Sequence, residues 1–164
     1  MKRLILACTA LLLMLSACDK RYPEGPCLSF IKADNRIAGK WAIAELAVND
    51  STENVQAFAN YTLSFFFNIE HLCFVNLVSN NNDSIVAQGN VIVNDRRTII
   101  EFEMLRTSGN EAAADSILLR IPPFESKNEW AITRLKRKEM HIASIVGDKE
   151  YKISLELISD FDNI

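Results

Sequence analysis

Thr98-Ile99-Ile100-Glu101-Phe102-Glu103-Met104 alternates acidic with apolar side chains. In an extended chain successive side chains point to opposite faces, so the run gives Glu101 and Glu103 to water and Ile100, Phe102 and Met104 to a core. Parallel strands are covered on both faces; a strand with one wet and one dry face belongs to an antiparallel sheet. The flanking sequence extends this reading. Tyr61-Thr62-Leu63-Ser64-Phe65-Phe66-Phe67 places Tyr61, Leu63, Phe65 and Phe67 on one face, and further short β-rich runs cover 41–48, 72–78, 85–93, 130–135, 140–146 and 151–158. Ile117 to Ile121 reads as one more strand, halted by Pro122-Pro123.

Turn residues separate the runs. Ser79-Asn80-Asn81-Asn82-Asp83 and Asn94-Asp95-Arg96-Arg97 are loops, while Arg137-Lys138 and Gly147-Asp148 divide a closing meander of hairpins. Gly89 inside a strand indicates a bulge or sharp bend. Helix is sparse: a turn or short helix over 108–115, a short helix within 51–60 capped by Ser51 or Thr52, and a helical turn starting at Phe30-Ile31 that plugs one end. The sum is all-β, an eight- to nine-stranded antiparallel meander barrel, with an immunoglobulin-like sandwich as the competing arrangement.

The amino terminus has a different character. Lys2 and Arg3 precede an apolar run from Leu4 to Leu15 broken only by Thr9, which ends in Leu15-Ser16-Ala17-Cys18. The run is far short of the roughly 20 residues that span a bilayer, so a cleaved export leader is the reading. Leu-Ser-Ala-Cys resembles the lipobox of bacterial lipoproteins, which implies cleavage before Cys18 and acylation of its thiol and new amino terminus. Two or three acyl chains anchor firmly where one holds marginally. The chain then divides into a signal peptide (1–17), a lipidated tether (18–36) and a barrel domain (37–164).

Loss of the leader takes the formal charge from −3 to −5. A polyanion requires a basic patch, and the one basic cluster, Arg134, Lys136, Arg137 and Lys138, falls at a turn where solvated charges are ordinary; a nucleic-acid partner is not expected. Cys27 and Cys73 are left in a compartment that permits oxidation. A bridge between them would close a loop of about 45 residues, worth roughly 3–4 kcal/mol in chain-entropy terms. Equally, Cys73 in His71-Leu72-Cys73-Phe74-Val75 reads as a small buried apolar residue.

Ile37-Ala38-Gly39-Lys40-Trp41 carries Gly-x-Trp at the head of the first strand, after a short helical segment. This resembles the opening motif of the lipocalins. The resemblance implies an eight-stranded up-and-down barrel whose closed end is crossed by Trp41, with Gly39 bending the chain into the strand. Asn128-Glu129-Trp130 echoes the family's second motif in degenerate form, through Glu129 and Trp130. For the basic residue that packs over the tryptophan in that family, Arg134 and Arg137 are the candidates. With the lipobox, the whole resembles the short lipocalin-like lipoproteins of Gram-negative bacteria over residues 36–158.

Catalytic signals are weak throughout. His71 and Cys73 share a strand face but lack the third and fourth ligands a metal needs, and His141 sits between apolar neighbours without a nucleophile. Glu101 and Glu103 lie on one strand, unlike glycosidase carboxylates that flank a cleft. All five glycines stand singly, so no phosphate-cradling loop exists. No cofactor, metal or catalytic role is expected. Asp50-Ser51-Thr52, Asp83-Ser84-Ile85 and Asp115-Ser116-Ile117 resemble the acceptor that some Gram-negative bacteria O-glycosylate, making Ser51, Ser84 and Ser116 candidate sites at predicted loop edges.

Two functional expectations follow. The first is a lipid-anchored, non-enzymatic barrel binding a small apolar or amphipathic ligand among Tyr61, Phe65, Phe67, Phe74 and Phe102. The second is a pocketless interaction, assembly or inhibitor module of the envelope that works through its surface. The expected location is the cell envelope, on the outer membrane and facing the periplasm, since no acidic run follows Cys18 to direct surface export.

Overall fold

The computed structural model describes residues 33–67 and 73–160. Its strands are β1 (Gly39–Val48), β2 (Ser51–Thr52), β3 (Tyr61–Phe67), β4 (Cys73–Ser79), β5 (Ser84–Val93), β6 (Ile99–Phe102), β7 (Leu105–Arg106), β8 (Asn128–Leu135), β9 (Glu139–Val146) and β10 (Lys149–Ser159). Two short helices accompany them, α1 (Ala33–Ile37) and α2 (Glu111–Leu118). Eight of the strands pair antiparallel in the order β1, β3, β4, β5, β6, β8, β9, β10, and β10 returns to pair with β1. Trp41 faces Leu157 across that seam, Leu46 faces Ile153 and Val48 faces Tyr151. The seam removes the open edges that a two-sheet sandwich would keep, and the expected meander barrel is the fold. The dipeptide strands are accessories, β2 on β1 and β7 on β5.

Inward positions form one continuous core from Trp41, Leu63, Phe65, Val75, Leu77, Phe102, Trp130 and Leu155, each 0–1% exposed. Limits of these strands follow the alternation to within two residues, and the shortfall at Thr98 to Met104 has a local cause. There β6 ends at Phe102, although the burial pattern continues, Glu103 exposed and Met104 buried. Gly89 explains the break. A Cβ at Gly89 would overlap the Glu103 carbonyl oxygen and stand 2.9 Å from its carbon, so the missing side chain admits that peptide against β5 before pairing resumes at β7.

Two expectations are corrected. Ile117 to Ile121 is not a strand: α2 runs through Leu118, because Ala114, Ile117, Leu118 and Ile121 recur at helical spacing and are all buried on one face. The chain then turns at Pro122, where a 3-10 turn over Pro122–Phe124 begins. Ser51 and Thr52 belong to β2 rather than capping a helix. The 3-10 turn Val55–Phe58 is capped by Asn54, whose Oδ1 accepts from the Gln56 N–H at 2.9 Å.

The meander gives the barrel two distinct ends. At the α1 end lie the start of β1, the finish of β10 and the turns 94–98 and 136–138. At the α2 end lie residues 49–60, 80–83, 107–127 and 147–148.

Candidate functional site

The α1 end is closed by short-range chemistry. Trp41 Nε1 donates to the Ile37 carbonyl at 2.9 Å, tying the strand's tryptophan to the helix four residues before it. Arg36, only 7% exposed, donates from Nη1 to the Leu135 carbonyl at 2.6 Å. A charged group removed from water needs such a partner. Arg134 and Arg137 do not occupy this place. Arg134 pairs with Glu139 on the outer wall, and Arg137 is exposed in the β8–β9 turn, 3.8 Å from Asp160. The buried basic residue at this end comes from α1, and the sequence signal that could have found it is an arginine one residue before the apolar Ile37 of a short helix.

The interior is occupied by rings. Phe102 stacks on Trp130 at 5.9 Å between centroids with planes 6° apart. Phe124 tilts against both at 5.3 Å, and Phe65 meets Phe102 edge-on at 6.3 Å. These separations are ordinary for aromatic packing. Phe124 is supplied by the turn after α2, so the segment 111–124 covers the second end and places a ring in the barrel's interior. Trp130 lies inward and Glu129 outward on β8, as alternation requires. Trp130 Nε1 is buried with no hydrogen-bond partner among the described residues.

Of the five aromatics expected to line a cavity, Phe65 and Phe102 therefore touch other protein rings. Tyr61 and Phe67 are half-buried inward residues at opposite ends of β3; the Tyr61 hydroxyl lies within hydrogen-bond distance of Ser116 Oγ, at 2.9 Å. Phe74 is corrected outright. It pairs with Phe66, one residue out of phase with inward Phe65 and Phe67, and so lies on the outer wall. There Phe66, Phe74, Asn76 and Gln88 border a shallow depression.

A cleft of about 260 Å³ lies at the α2 end, bordered by Leu46, Val48, Phe58, Leu119 and Tyr151. A larger open groove of about 520 Å³ runs along the outer wall where β6 gives way to β7, between Asn90, Ile92, Glu101, Leu105 and Lys127. Lys127 and Glu101 pair across it at 3.0 Å.

Glu139 is the centre of a charge cluster at the start of β9. Its carboxylate lies 3.0 Å from Lys136 Nζ, 2.6 Å from Arg134 Nη1 and 2.8 Å from His141 Nε2. The hydrogen bond from Lys136, followed by that from Arg134, holds the Glu139 carboxyl at about 2. These contacts staple the hairpin turn. Among the described residues no three His, Cys, Asp or Glu side chains gather as a metal site.

Cys73 is buried at the head of β4. Cys18, Cys27 and His71 lie outside the described residues. Ser51 is exposed, and Ser84 donates to Asn82 Oδ1 at 2.7 Å. Ser116 is exposed but sits inside α2 rather than at a loop edge, donating to the Ala113 carbonyl at 2.7 Å. No protein-family model matches the chain, and no curated protein matches it.

Proposed function

We propose that this chain is a lipid-anchored, non-enzymatic lipoprotein of the cell envelope, lipocalin-like in its barrel, that acts through its outer surface as an interaction, assembly or inhibitor module. The observation that carries this reading is the Phe65, Phe102, Phe124 and Trp130 cluster, which occupies with protein side chains the space where a carrier would hold cargo. The leader and Leu15-Ser16-Ala17-Cys18 support the anchor and, with it, a periplasm-facing place on the outer membrane. A second reading, a small apolar or amphipathic ligand, has the cleft at the α2 end in its favour. At about 260 Å³ it falls just below the roughly 300–1,000 Å³ usual for small-molecule sites.

Two measurements test the proposal. Labelled palmitate enters the wild type and not Cys18→Ala; equal labelling of both removes the anchor. Native mass spectrometry of the acylated protein gives the mass of the lipoprotein alone, whereas a co-purified lipid or pigment favours the carrier.

A further inference from the structure

The two ends of the barrel differ in charge. Among the described residues, turns 94–98 and 136–138 at the α1 end carry Arg96, Arg97, Lys136, Arg137 and Lys138 against Asp95, with Glu139 and Asp160 at the adjoining strand ends. At the α2 end, the connections 49–54, 80–83, 107–127 and 147–148 hold seven carboxylates against two basic side chains. The chain as a whole is acidic, so the basic residues are concentrated, not merely abundant. Several are held in place: Arg97 donates to the Asn94 and Asp95 carbonyls at 3.2 and 3.3 Å, and Lys136 is fixed on Glu139. The Asn94 side chain shapes the first turn by accepting from the Thr98 and Ile99 N–H groups at 2.8 and 3.1 Å.

We propose that the α1 end is a membrane-facing surface that rests on anionic lipid headgroups, with the acidic α2 end held away from them. This rests on the lipid-anchor reading. Fourteen residues lie between Cys18 and Ala33, a reach of at most about 50 Å. The longest strand has 11 residues and so spans only about 35 Å. A tether whose maximum reach exceeds the length of the body it holds does not dictate which face meets the bilayer. Charge then decides. An anionic leaflet attracts basic side chains within a Debye length, about 8 Å at physiological salt, and repels carboxylates over the same range. Because the chain enters the barrel at the α1 end, this orientation requires no wrapping of the tether around the wall. It also leaves the outer-wall groove and the α2 end open to the periplasm.

The test uses the full acylated chain in vesicles of phosphatidylethanolamine with phosphatidylglycerol, compared with vesicles of phosphatidylcholine alone. An amine-reactive reagent is applied and modification is followed residue by residue by mass spectrometry. Lys136 and Lys138 are expected to react roughly threefold or more slowly on the anionic vesicles, with Lys149 on the opposite hairpin unchanged. In about 1 M salt, where the Debye length falls to roughly 3 Å, the difference closes. Acylated protein with equal rates at Lys136 and Lys138 on the two vesicles, or with Lys149 protected as strongly, overturns the orientation and leaves the anchor standing. Absence of an acyl mass on Cys18 overturns both.

Discussion

Gly39 takes φ +144°, and a Cβ on it would stand 2.6 Å from Leu157 Cδ1 and 2.9 Å from the Ser159 carbonyl oxygen. Strain and overlap act together, since that backbone region is closed to L side chains and one obstructing atom is main chain on the seam strand. Gly39→Ala is expected to lower stability by about 2–4 kcal/mol, read as a shift in the urea midpoint at unchanged m. Two residues on, the tryptophans allow a comparison. Trp41 Nε1 has a partner in Ile37, and Trp130 Nε1 has none among the described residues. Each Trp→Phe change removes similar apolar volume. Only Trp41→Phe leaves a buried carbonyl without its donor, so it should cost about 1–2 kcal/mol more than Trp130→Phe in parallel denaturant titrations. The motif was legible as Gly-x-Trp, but the reason for the glycine was not, because Leu157 and Ser159 lie about 120 residues away in the sequence.

Among elements, α2 runs through Ile117 and Leu118 where a strand was expected, and Ser51-Thr52 is a strand where a helix cap was expected. Ile117-Leu118-Leu119-Arg120-Ile121 is a short apolar run, which periodicity alone cannot assign to helix or strand. The deciding position is Ala114, which completes the buried helical stripe from inside the segment expected to be a turn or short helix. Ile117→Ala is expected to cost about 2–4 kcal/mol, and Ala112→Ser on the exposed side of the same helix little; thermal melts of the two variants make the comparison. The β8–β9 hairpin carries a pH-dependent contribution of known sign. Glu139 is held at about 2, below its ordinary 4.5. The stabilisation is fully present above about 4.5 and is lost as pH falls through about 2. The carboxylate is partly exposed, so screening limits the effect to about 0.5 kcal/mol. Melting temperatures between pH 5 and pH 2 should therefore fall slightly less steeply for Glu139→Gln than for the wild type, and a steeper fall would contradict the staple. Here the acidic and basic residues were visible in sequence, while their convergence depended on the register that sets Arg134 opposite His141.

For the molecule as a whole, the filled interior makes a sharp prediction. Phe124→Ala removes a ring packed against both Phe102 and Trp130. It should destabilise by about 3–5 kcal/mol and leave a dry, apolar cavity. A small apolar probe such as benzene is then expected to raise the melting temperature of the variant and not of the wild type. Stabilisation of the wild type by the same probe would restore the carrier reading. What the sequence determined by itself is local: the alternating strands, the turns between them, and the Gly39-Lys40-Trp41 start of β1. Each depends on the identity and spacing of near neighbours along the chain. The tertiary structure alone decided the closure of β10 on β1, the burial of Arg36 under Leu135, the outward placement of Phe74, and the filling of the barrel by Phe124. Those outcomes depend on strand register and on side chains brought together from opposite ends of the chain, which no local pattern encodes.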